Sequence, residues 1–328
     1  MIIAGIDEAG YGPLLGPLVV GCAAFELGDE ANVDAANERE LPCLWHRLGK
    51  LVSRSRSKSG RKIHVNDSKL VYSSTGGMKE LERAVLSMTA AWRNWEERFD
   101  GFVGHVAGHV LADMAASTWY QPTADEAFPF SQEGMPIKLF ANALRQEMDR
   151  TKTTIVHMNA RVLLEKPLNK LFDQTRNKSN ALFSIAAINL DHLLRNYGEK
   201  NLVIFCDRQG GREHYGQLLR LMFEEWSLEI LRESDGRSDY ILRREGHAVR
   251  LTFCEKAEAR CLPVALASML SKYLREAFMH RFNAWWLARL PGLSPTAGYY
   301  SDGLRFLNDI AAKRAELGIS DEMLIRSR

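Results

Sequence analysis

Two adjacent acidic residues near the start of the chain are the first feature that could carry chemistry. Asp7 and Glu8 end a short apolar run and lead directly into a turn that contains Gly10, Gly12 and Gly16. Hard divalent cations such as Mg²⁺ and Mn²⁺ take carboxylate oxygens as ligands and fill their remaining positions with water or phosphate oxygens. Paired acids beside a flexible backbone therefore indicate a site for a metal ion and a phosphate group.

Two further acids could complete such a site. Asp207 ends the apolar run LVIFC, and Glu276 lies in a long helical stretch, four residues after Lys272 and on the same helix face. Two metal ions about 4 Å apart can activate a water on one side of a phosphodiester and stabilise the leaving oxygen on the other. With Asp7 and Glu8 as partners, the set predicts phosphodiester hydrolysis. For any one of these acids taken singly, a solvated surface position is the commoner outcome.

Alternating strand and helix patterns predict the elements that would position these acids. Apolar runs at 2–6 and 18–25 flank the Gly/Pro turn and predict a hairpin. Helical spacing and further apolar runs then alternate, which predicts an α/β fold with Asp207 at the carboxyl end of a strand, where α/β proteins bind ligands. The other predicted strands are 153–158, 240–244 and 249–253, and the main predicted helices are 78–99, 179–197, 212–226 and a long stretch from 263.

Residues 28–62 lack a helix or strand period and are interpreted as a loop insertion. They end in a basic segment, SRSRSKSGRK, that carries Arg54, Arg56, Lys58, Arg61 and Lys62. A solvated connection and a surface that attracts phosphate are both consistent with this composition.

Residues 93–150 are interpreted as a second, larger insertion. His105 and His109 are four residues apart there and could share a helix face as metal ligands. The glycines around them weaken a helix, so histidines without a metal are the favoured interpretation.

The composition is that of an ordinary globular protein. The chain has 328 residues, 46% hydrophobic and 26% charged, and a net charge of only +2, which does not by itself announce a nucleic-acid partner. One large domain with insertions and two domains are both compatible with this length. Five cysteines without a CxxC pair argue against a disulfide framework or a structural zinc site, and a cytoplasmic protein without a leader or membrane span is expected.

Five motifs resemble ribonuclease HII, the type 2 ribonuclease H family, and they occur in that family's order. They are GIDEAGYGPLLGPLVV, NDSK, the strand that ends in Asp207, KAEARCLPVALASMLSKYLRE and PGLSPTAGYY. The resemblance implies a ribonuclease H-like mixed sheet flanked by helices, with a helical C-terminal region at about 263–328. It also implies an enzyme that uses Mg²⁺ or Mn²⁺ to cut the RNA strand of RNA/DNA hybrids, or single ribonucleotides embedded in DNA, leaving 5′-phosphomonoesters.

The same resemblance implies roles for individual residues. Asp7, Glu8 and Asp207 match three metal-binding acids of the family, and Glu276 takes the place of the fourth, in the segment ASMLSKYLRE. The implied substrate contacts are the turn residues Gly10, Tyr11 and Gly12, the phosphate-binding Lys69 and Lys272, and Tyr299, which would stack on the sugar at the RNA–DNA junction.

Two departures from the family pattern leave alternatives open. Tyr11 replaces an arginine that contacts the backbone near the 2′-hydroxyl, and Glu276 is one methylene longer than the family's aspartate. The sister type, ribonuclease HIII, also lacks that arginine. A nucleic-acid-binding protein with weak or no catalysis is therefore the main alternative, and another metal-dependent nuclease on this scaffold is a third.

Overall fold

A mixed seven-stranded sheet forms the centre of the molecule. The computed structural model describes residues 1–28, 41–57, 59–72, 77–123, 126–131 and 134–327. The strand order in the sheet is β5-β2-β1-β6-β9-β8-β7, and β3 pairs with β4 separately. The strands are β1 (Ile2–Ala9), β2 (Leu18–Leu27), β3 (Val52–Ser53), β4 (Ile63–His64), β5 (Thr153–Leu163), β6 (Leu202–Asp207), β7 (Ser227–Ser234), β8 (Arg237–Arg244) and β9 (His247–Cys254).

Helices flank the sheet and make up the C-terminal region. They are α1 (Leu44–Arg47), α2 (Ser68–Val71), α3 (Lys79–Trp92), α4 (Phe99–Ala107), α5 (Leu111–Ala116), α6 (Gly134–Arg150), α7 (Glu165–Thr175), α8 (Lys178–Tyr197), α9 (Gly216–Met222), α10 (Leu262–Leu287), α11 (Tyr300–Asp309), α12 (Ala311–Glu316) and α13 (Asp321–Leu324). The α/β class, the mixed sheet and the helical C-terminal region predicted from the sequence are thereby confirmed. In the described residues, no helix is both long and apolar enough to cross a membrane.

The register of the central strands brings two of the predicted acids to one edge of the sheet. β1 and β2 form the predicted antiparallel hairpin, and β1 runs parallel to β6, with Ile6 paired to Cys206. Parallel neighbours end on the same side, so Asp7 and Asp207 follow one residue beyond this pair. The site is thus built where adjacent parallel strands end.

The long helix α10 lies directly on β1 and β2. A Cβ atom added to Gly5 would lie 2.1 Å from the backbone nitrogen of Val264, and one added to Gly21 would lie 2.5 Å from the carbonyl oxygen of Ala267. Only glycine permits such an approach of backbone to backbone. The approach brings Ser271 to the end of β1, where its hydroxyl donates to the carbonyl of Asp7 at 3.1 Å.

The second predicted insertion packs on α10 through aromatic rings. Phe99 contacts Phe278 with ring centroids 5.7 Å apart, and Phe102 contacts Tyr273 at 5.6 Å. The glycines that were expected to weaken a helix here do not prevent one, because α4 runs through them while it buries an apolar face. Whether the chain is best divided into one domain with two insertions stays a prediction.

His105 and His109 do not share a metal site. His105 Nε2 lies 2.6 Å from a carboxylate oxygen of Glu96, whereas His109 Nε2 lies 3.2 Å from the backbone oxygen of Val162. Each ring therefore has its own protein partner.

Strand β7 was not predicted from the sequence. The helical pattern predicted over 212–226 is realised only as α9, and residues 227–234 then form an edge strand that is mostly exposed. A strand with so little burial carries a weak apolar signal, because its charged side chains protect the sheet edge rather than face a core.

None of the five cysteines is joined in a disulfide, and four of them are buried. This agrees with the expectation that the chain has no disulfide framework.

Candidate active site

Three acids lie together at the ends of β1 and β6. Asp7 is only 8% exposed, and its pKa is raised well above its usual range by burial and then by the charges of Glu8 and Asp207. Burial and the charge of Asp207 likewise raise the pKa of Glu8 to about 8. Burial also raises the pKa of Asp207. Carboxylates that oppose each other's ionisation in this way form an anionic cluster that a cation would stabilise.

Hydroxyl groups of α10 hold Asp7 from one side. Ser268 donates a hydrogen bond to the Asp7 carboxylate, and its Oγ lies 3.0 Å from Ser68 Oγ. The Asp7 carboxylate also accepts the backbone N–H of Glu8 at 2.7 Å. Adjacent strand residues normally point to opposite faces, but both acids interact with Asp207 here, just beyond the last pair between β1 and β6, Ile6 and Cys206.

Glu258 is a fourth acid at the site, and the sequence analysis missed it. It lies in a short 3₁₀ turn, Ala257–Ala259, that follows β9. The backbone N–H of Ala257 donates to Asp207 Oδ1 at 3.2 Å. Burial, the charges of Asp207 and Asp67 and a hydrogen bond with Asp207 all raise the pKa of Glu258. The signal was present in KAEARCLP, because this acid follows a strand that is parallel to β6 and next to it.

Lys69 is a cation whose charge acts on two of the acids. Its side chain is exposed, and its charge lowers the pKa values of Glu8 and Asp207 against the raising effect of burial. The N-cap of α2 sets its position, since Asp67 Oδ1 accepts the backbone N–H of Lys69 at 2.9 Å. The adjacent Ser68 fixes α2 to α10 through its contact with Ser268.

The structure does not join Glu276 to the other acids. Glu276 accepts a hydrogen bond from Lys272 Nζ at 2.6 Å and interacts with the hydroxyl of Tyr72. Lys272 lies 4.8 Å from the centroid of the Tyr72 ring. Eight residues after Ser268, Glu276 is displaced by about 12 Å along the helix and turned by about 80°. In the described part of the chain, the recorded contacts of Lys272 and Glu276 form a separate group beside α2.

The turn after β1 depends on glycine. Gly10 has a φ of 88°, and a Cβ atom there would lie 2.6 Å from the carbonyl oxygen of Pro17. A Cβ atom at Gly12 would meet nothing within 4 Å, so this side of the turn is open. The turn therefore presents its backbone to solvent beside the acids.

Tyr11 reaches from this turn to the loop after β6. A Cβ atom on Gly210 would lie 3.1 Å from the Tyr11 hydroxyl. Partial burial and the charge of Glu8 raise the pKa of Tyr11, while Arg212 lowers it. The phenol is consequently protonated at neutral pH and can donate a hydrogen bond next to Glu8.

Tyr299 lies on the other side of the turn. Its side chain is 52% exposed, and the Arg275 guanidinium lies 5.9 Å from its ring centroid. The carbonyl of Gly298 accepts the backbone N–H groups of Leu14 at 2.7 Å and Leu15 at 3.1 Å. The exposed ring is thereby anchored to the same turn as Tyr11.

The donor set fits a divalent cation by type, although its oxygens are not yet arranged around a common centre. Within the described ranges, no group of three His, Cys, Asp or Glu side chains is placed to hold a metal ion. Even so, Asp7, Glu8, Asp207 and Glu258 offer only hard oxygen ligands. Among the residues that the structure describes, the buried Oε2 of Glu8 also has no hydrogen-bond partner, and a bound ion would satisfy such an atom.

Comparison with known proteins found similarity at the level of solved structures. No protein-family model matches the sequence, and neither does any curated protein. The ribonuclease HII of the Archaeoglobus fulgidus PCNA complex is 14% identical, with a TM-score of 0.43, over 100% of this chain and 95% of that one. Ribonuclease H2 from Pyrococcus horikoshii is 14% identical, with a TM-score of 0.41, over 99% and 92%.

A third similar structure is Bst-ribonuclease HIII in complex with Mn²⁺, at 14% identity and a TM-score of 0.40, over 99% of this chain and 66% of that one. Over almost its whole length, this chain is similar to solved ribonucleases HII, H2 and HIII.

Proposed function

We propose that this protein is a divalent-metal-dependent endonuclease that hydrolyses the RNA strand of RNA/DNA hybrids or ribonucleotides embedded in DNA. The observation that carries the proposal is the mutual effect of Asp7, Glu8 and Asp207 on one another's ionisation at the ends of β1 and β6. Such an anionic cluster beside an open glycine turn suits a site that binds metal and phosphate together. The motif order in the sequence supplies the substrate class.

Four acids would hold Mg²⁺ or Mn²⁺ in this proposal: Asp7, Glu8, Asp207 and Glu258. Bound ions would activate a water molecule and stabilise the leaving oxygen of the phosphodiester. Glu258 replaces the earlier candidate Glu276, because Glu258 contacts Asp207 whereas Glu276 pairs with Lys272. The alternative is that Glu276 is the fourth ligand, and substitution of each acid distinguishes the two.

The chain's own residues would bind and orient the nucleic acid. Lys69, beside Glu8 and Asp207, is placed to stabilise negative charge that develops on the phosphate. The backbone of Gly10, Tyr11 and Gly12 would contact the substrate strand, and the exposed ring of Tyr299 would stack on a sugar or base. Lys272 would contribute only if it exchanged its partner Glu276 for a phosphate.

The basic segment extends this surface beyond Lys69. Asn66, three residues before Lys69, donates to the carbonyl of Arg54 at 2.8 Å. The Arg54 guanidinium is exposed and stacks 4.0 Å from the centroid of Trp45. Arg56 and Arg61 are also exposed, whereas Lys62 donates to the carbonyl of Gly49 and Lys58 lies outside the described residues. This arrangement favours phosphate attraction for the three arginines.

Cleavage assays on defined duplexes test the proposal. Purified protein with Mg²⁺ or Mn²⁺ is expected to cut the RNA strand of an RNA/DNA hybrid and leave 5′-phosphate ends, while matched DNA and RNA duplexes stay intact. Hybrid that is bound but uncut in either metal would support the nucleic-acid-binding alternative. Equal cleavage of the DNA duplex would instead support a different nuclease on the same scaffold.

A second substrate isolates the role of Tyr11. A DNA duplex with one embedded ribonucleotide is compared with the continuous hybrid, for the natural chain and for Tyr11→Arg. Tyr11 lacks the charge of an arginine, so we expect the natural chain to prefer the continuous hybrid and the variant to gain on the single ribonucleotide.

A further inference from the structure

A buried arginine from the C-terminal end of the chain holds the carbonyl groups of the glycine turn. Arg326 is only 3% exposed. Its guanidinium donates to the carbonyl of Gly10 at 2.5 Å and to that of Tyr11 at 3.3 Å. Its backbone N–H donates to the carbonyl of Leu14 at 3.0 Å. One residue thus contacts three carbonyls of the turn that follows the acids.

Neighbouring buried groups stabilise this arrangement. Glu165 Oε1 accepts the backbone N–H of Gly16 at 3.1 Å and the hydroxyl of Tyr120 at 2.7 Å. Burial lowers the pKa of Arg326 to about 10, and the charge of Glu165 opposes this effect. The guanidinium therefore remains charged at neutral pH, although it is largely withdrawn from water.

The orientation of the turn follows from these contacts. Carbonyls that point inward to Arg326 leave the adjoining N–H groups to point outward. In the described residues, the backbone N–H groups of Tyr11 and Gly12 have no hydrogen-bond partner within the protein. A run of free N–H groups in a turn favours an anion such as a phosphate oxygen.

The C-terminal segment is itself anchored to α7. Asn169 donates to the carbonyls of Glu322 at 3.2 Å and Ile325 at 2.8 Å, and its side-chain oxygen accepts the backbone N–H of Ser327 at 2.7 Å. Leu324 between them is fully buried. Asn169 thus fixes the segment without touching the turn, which provides an independent way to perturb Arg326.

We propose that Arg326 is a positioning residue that holds the Gly10–Gly12 backbone in the orientation that binds the substrate strand. The proposal rests on the proposed function, because the substrate is the nucleic-acid backbone inferred there. Burying a guanidinium is costly unless its donors are satisfied, and here the two terminal nitrogens, Nη1 and Nη2, donate to the turn next to the acids. Metal binding by the four acids does not involve Arg326.

Substitution of Arg326 separates positioning from general stability. Arg326→Gln is expected to raise KM for the hybrid by about 10-fold to 100-fold, with a smaller change in kcat, because misplacement of binding groups by about 1 Å has effects of that order. Arg326→Lys keeps a charged donor and is expected to recover part of the loss. Asn169→Ala is expected to change KM in the same direction by a smaller factor. Arg289→Gln, at an exposed arginine stacked on Trp285, is the matched control and should leave KM unchanged.

Hydrogen exchange gives a readout that does not need activity. Loosening the turn in Arg326→Gln should speed exchange of the Leu14 and Leu15 amides, which donate to Gly298. A folded Arg326→Gln protein with unchanged exchange and unchanged KM overturns the inference. If the natural chain neither binds nor cuts any hybrid, the proposed function fails first, and the exchange result alone decides whether Arg326 holds the turn. If Arg326→Gln does not fold, KM and amide exchange are measured for Arg326→Lys and Asn169→Ala instead, and these two variants decide whether Arg326 holds the turn.

Discussion

Asp7 and Asp207 lie one residue beyond the paired Ile6 and Cys206 of two parallel neighbouring strands, and the charge of Asp207 raises the pKa of Asp7. Two acids more than 190 residues apart in the chain are therefore one electrostatic unit. Without a cation the carboxylates of this unit repel one another. This repulsion should affect activity, metal binding and the stability of the folded chain, all of which can be measured.

Removing one charge should abolish cleavage while stabilising the metal-free protein. Asp7→Asn replaces a ligand for a hard cation with a neutral amide and removes repulsion from Glu8 and Asp207. We expect activity to fall by more than about 100-fold, the upper range for losing an outer-shell group around a metal. The melting temperature in EDTA should rise or stay unchanged. Retained metal-dependent cleavage in this variant would overturn the ligand assignment.

Glu258 and Glu276 form a matched pair that tests which acid is the fourth ligand. Glu258→Gln should weaken Mn²⁺ binding, measured by calorimetry, and lower kcat, because Glu258 contacts Asp207. Glu276→Gln disrupts the pair with Lys272 and the contact with Tyr72, and it should leave Mn²⁺ affinity within about 3-fold of the natural value, since a partly exposed ion pair contributes little. The reverse order of effects would restore Glu276 as the ligand.

The raised pKa of Glu8 predicts a pH dependence of stability in the absence of metal. Its pKa is about 8 in the folded chain against an ordinary value of 4.5, so the folded state binds the proton more tightly. Stability from this group is fully present below about pH 4.5 and is lost as the pH rises through 8. Melting temperatures in EDTA across this range should fall more steeply for the natural chain than for Glu8→Gln. Saturating Mg²⁺ or Mn²⁺ should reduce the difference, because the ion favours the ionised carboxylate.

The basic segment predicts a salt-dependent contribution to binding. Replacing Arg54, Arg56 and Arg61 together with glutamine should reduce the slope of log affinity against log salt by up to about 3, if each contacts one phosphate. Fluorescence anisotropy with a labelled hybrid in Ca²⁺ measures the slope. A triple variant of cations that pair with other acidic residues, Arg195, Arg243 and Lys313, serves as the control. An unchanged slope would indicate that the segment is a solvated connection that does not contact phosphate.

The central hairpin and the position of Asp207 at the end of a strand could both be predicted from the sequence. Each depends on a local pattern, an apolar run that stops at an acid. Glu258 was not found because its proximity to Asp207 arises from the pairing of β9 with β6, which no local pattern reveals. Glu276 was predicted as a metal ligand from its position in a motif. The glycine contacts decide which face of α10 meets β1, however, and that face directs serines toward Asp7. The contact between Arg326 and Gly10 joins the two ends of the chain and is equally invisible to local reasoning.

The close contact at Gly5 also sets the position of α10 relative to β1, and therefore relative to the site. Backbone lies directly against backbone there, so any side chain at this position would collide with α10. Ser271 lies seven residues beyond Val264, roughly 10.5 Å along the axis, and reaches Asp7 at a set distance. The turn around Tyr11 and the short helix that carries Lys69 flank the site, and each is held in place, the turn by Arg326 and the helix by the contact of Ser68 with Ser268.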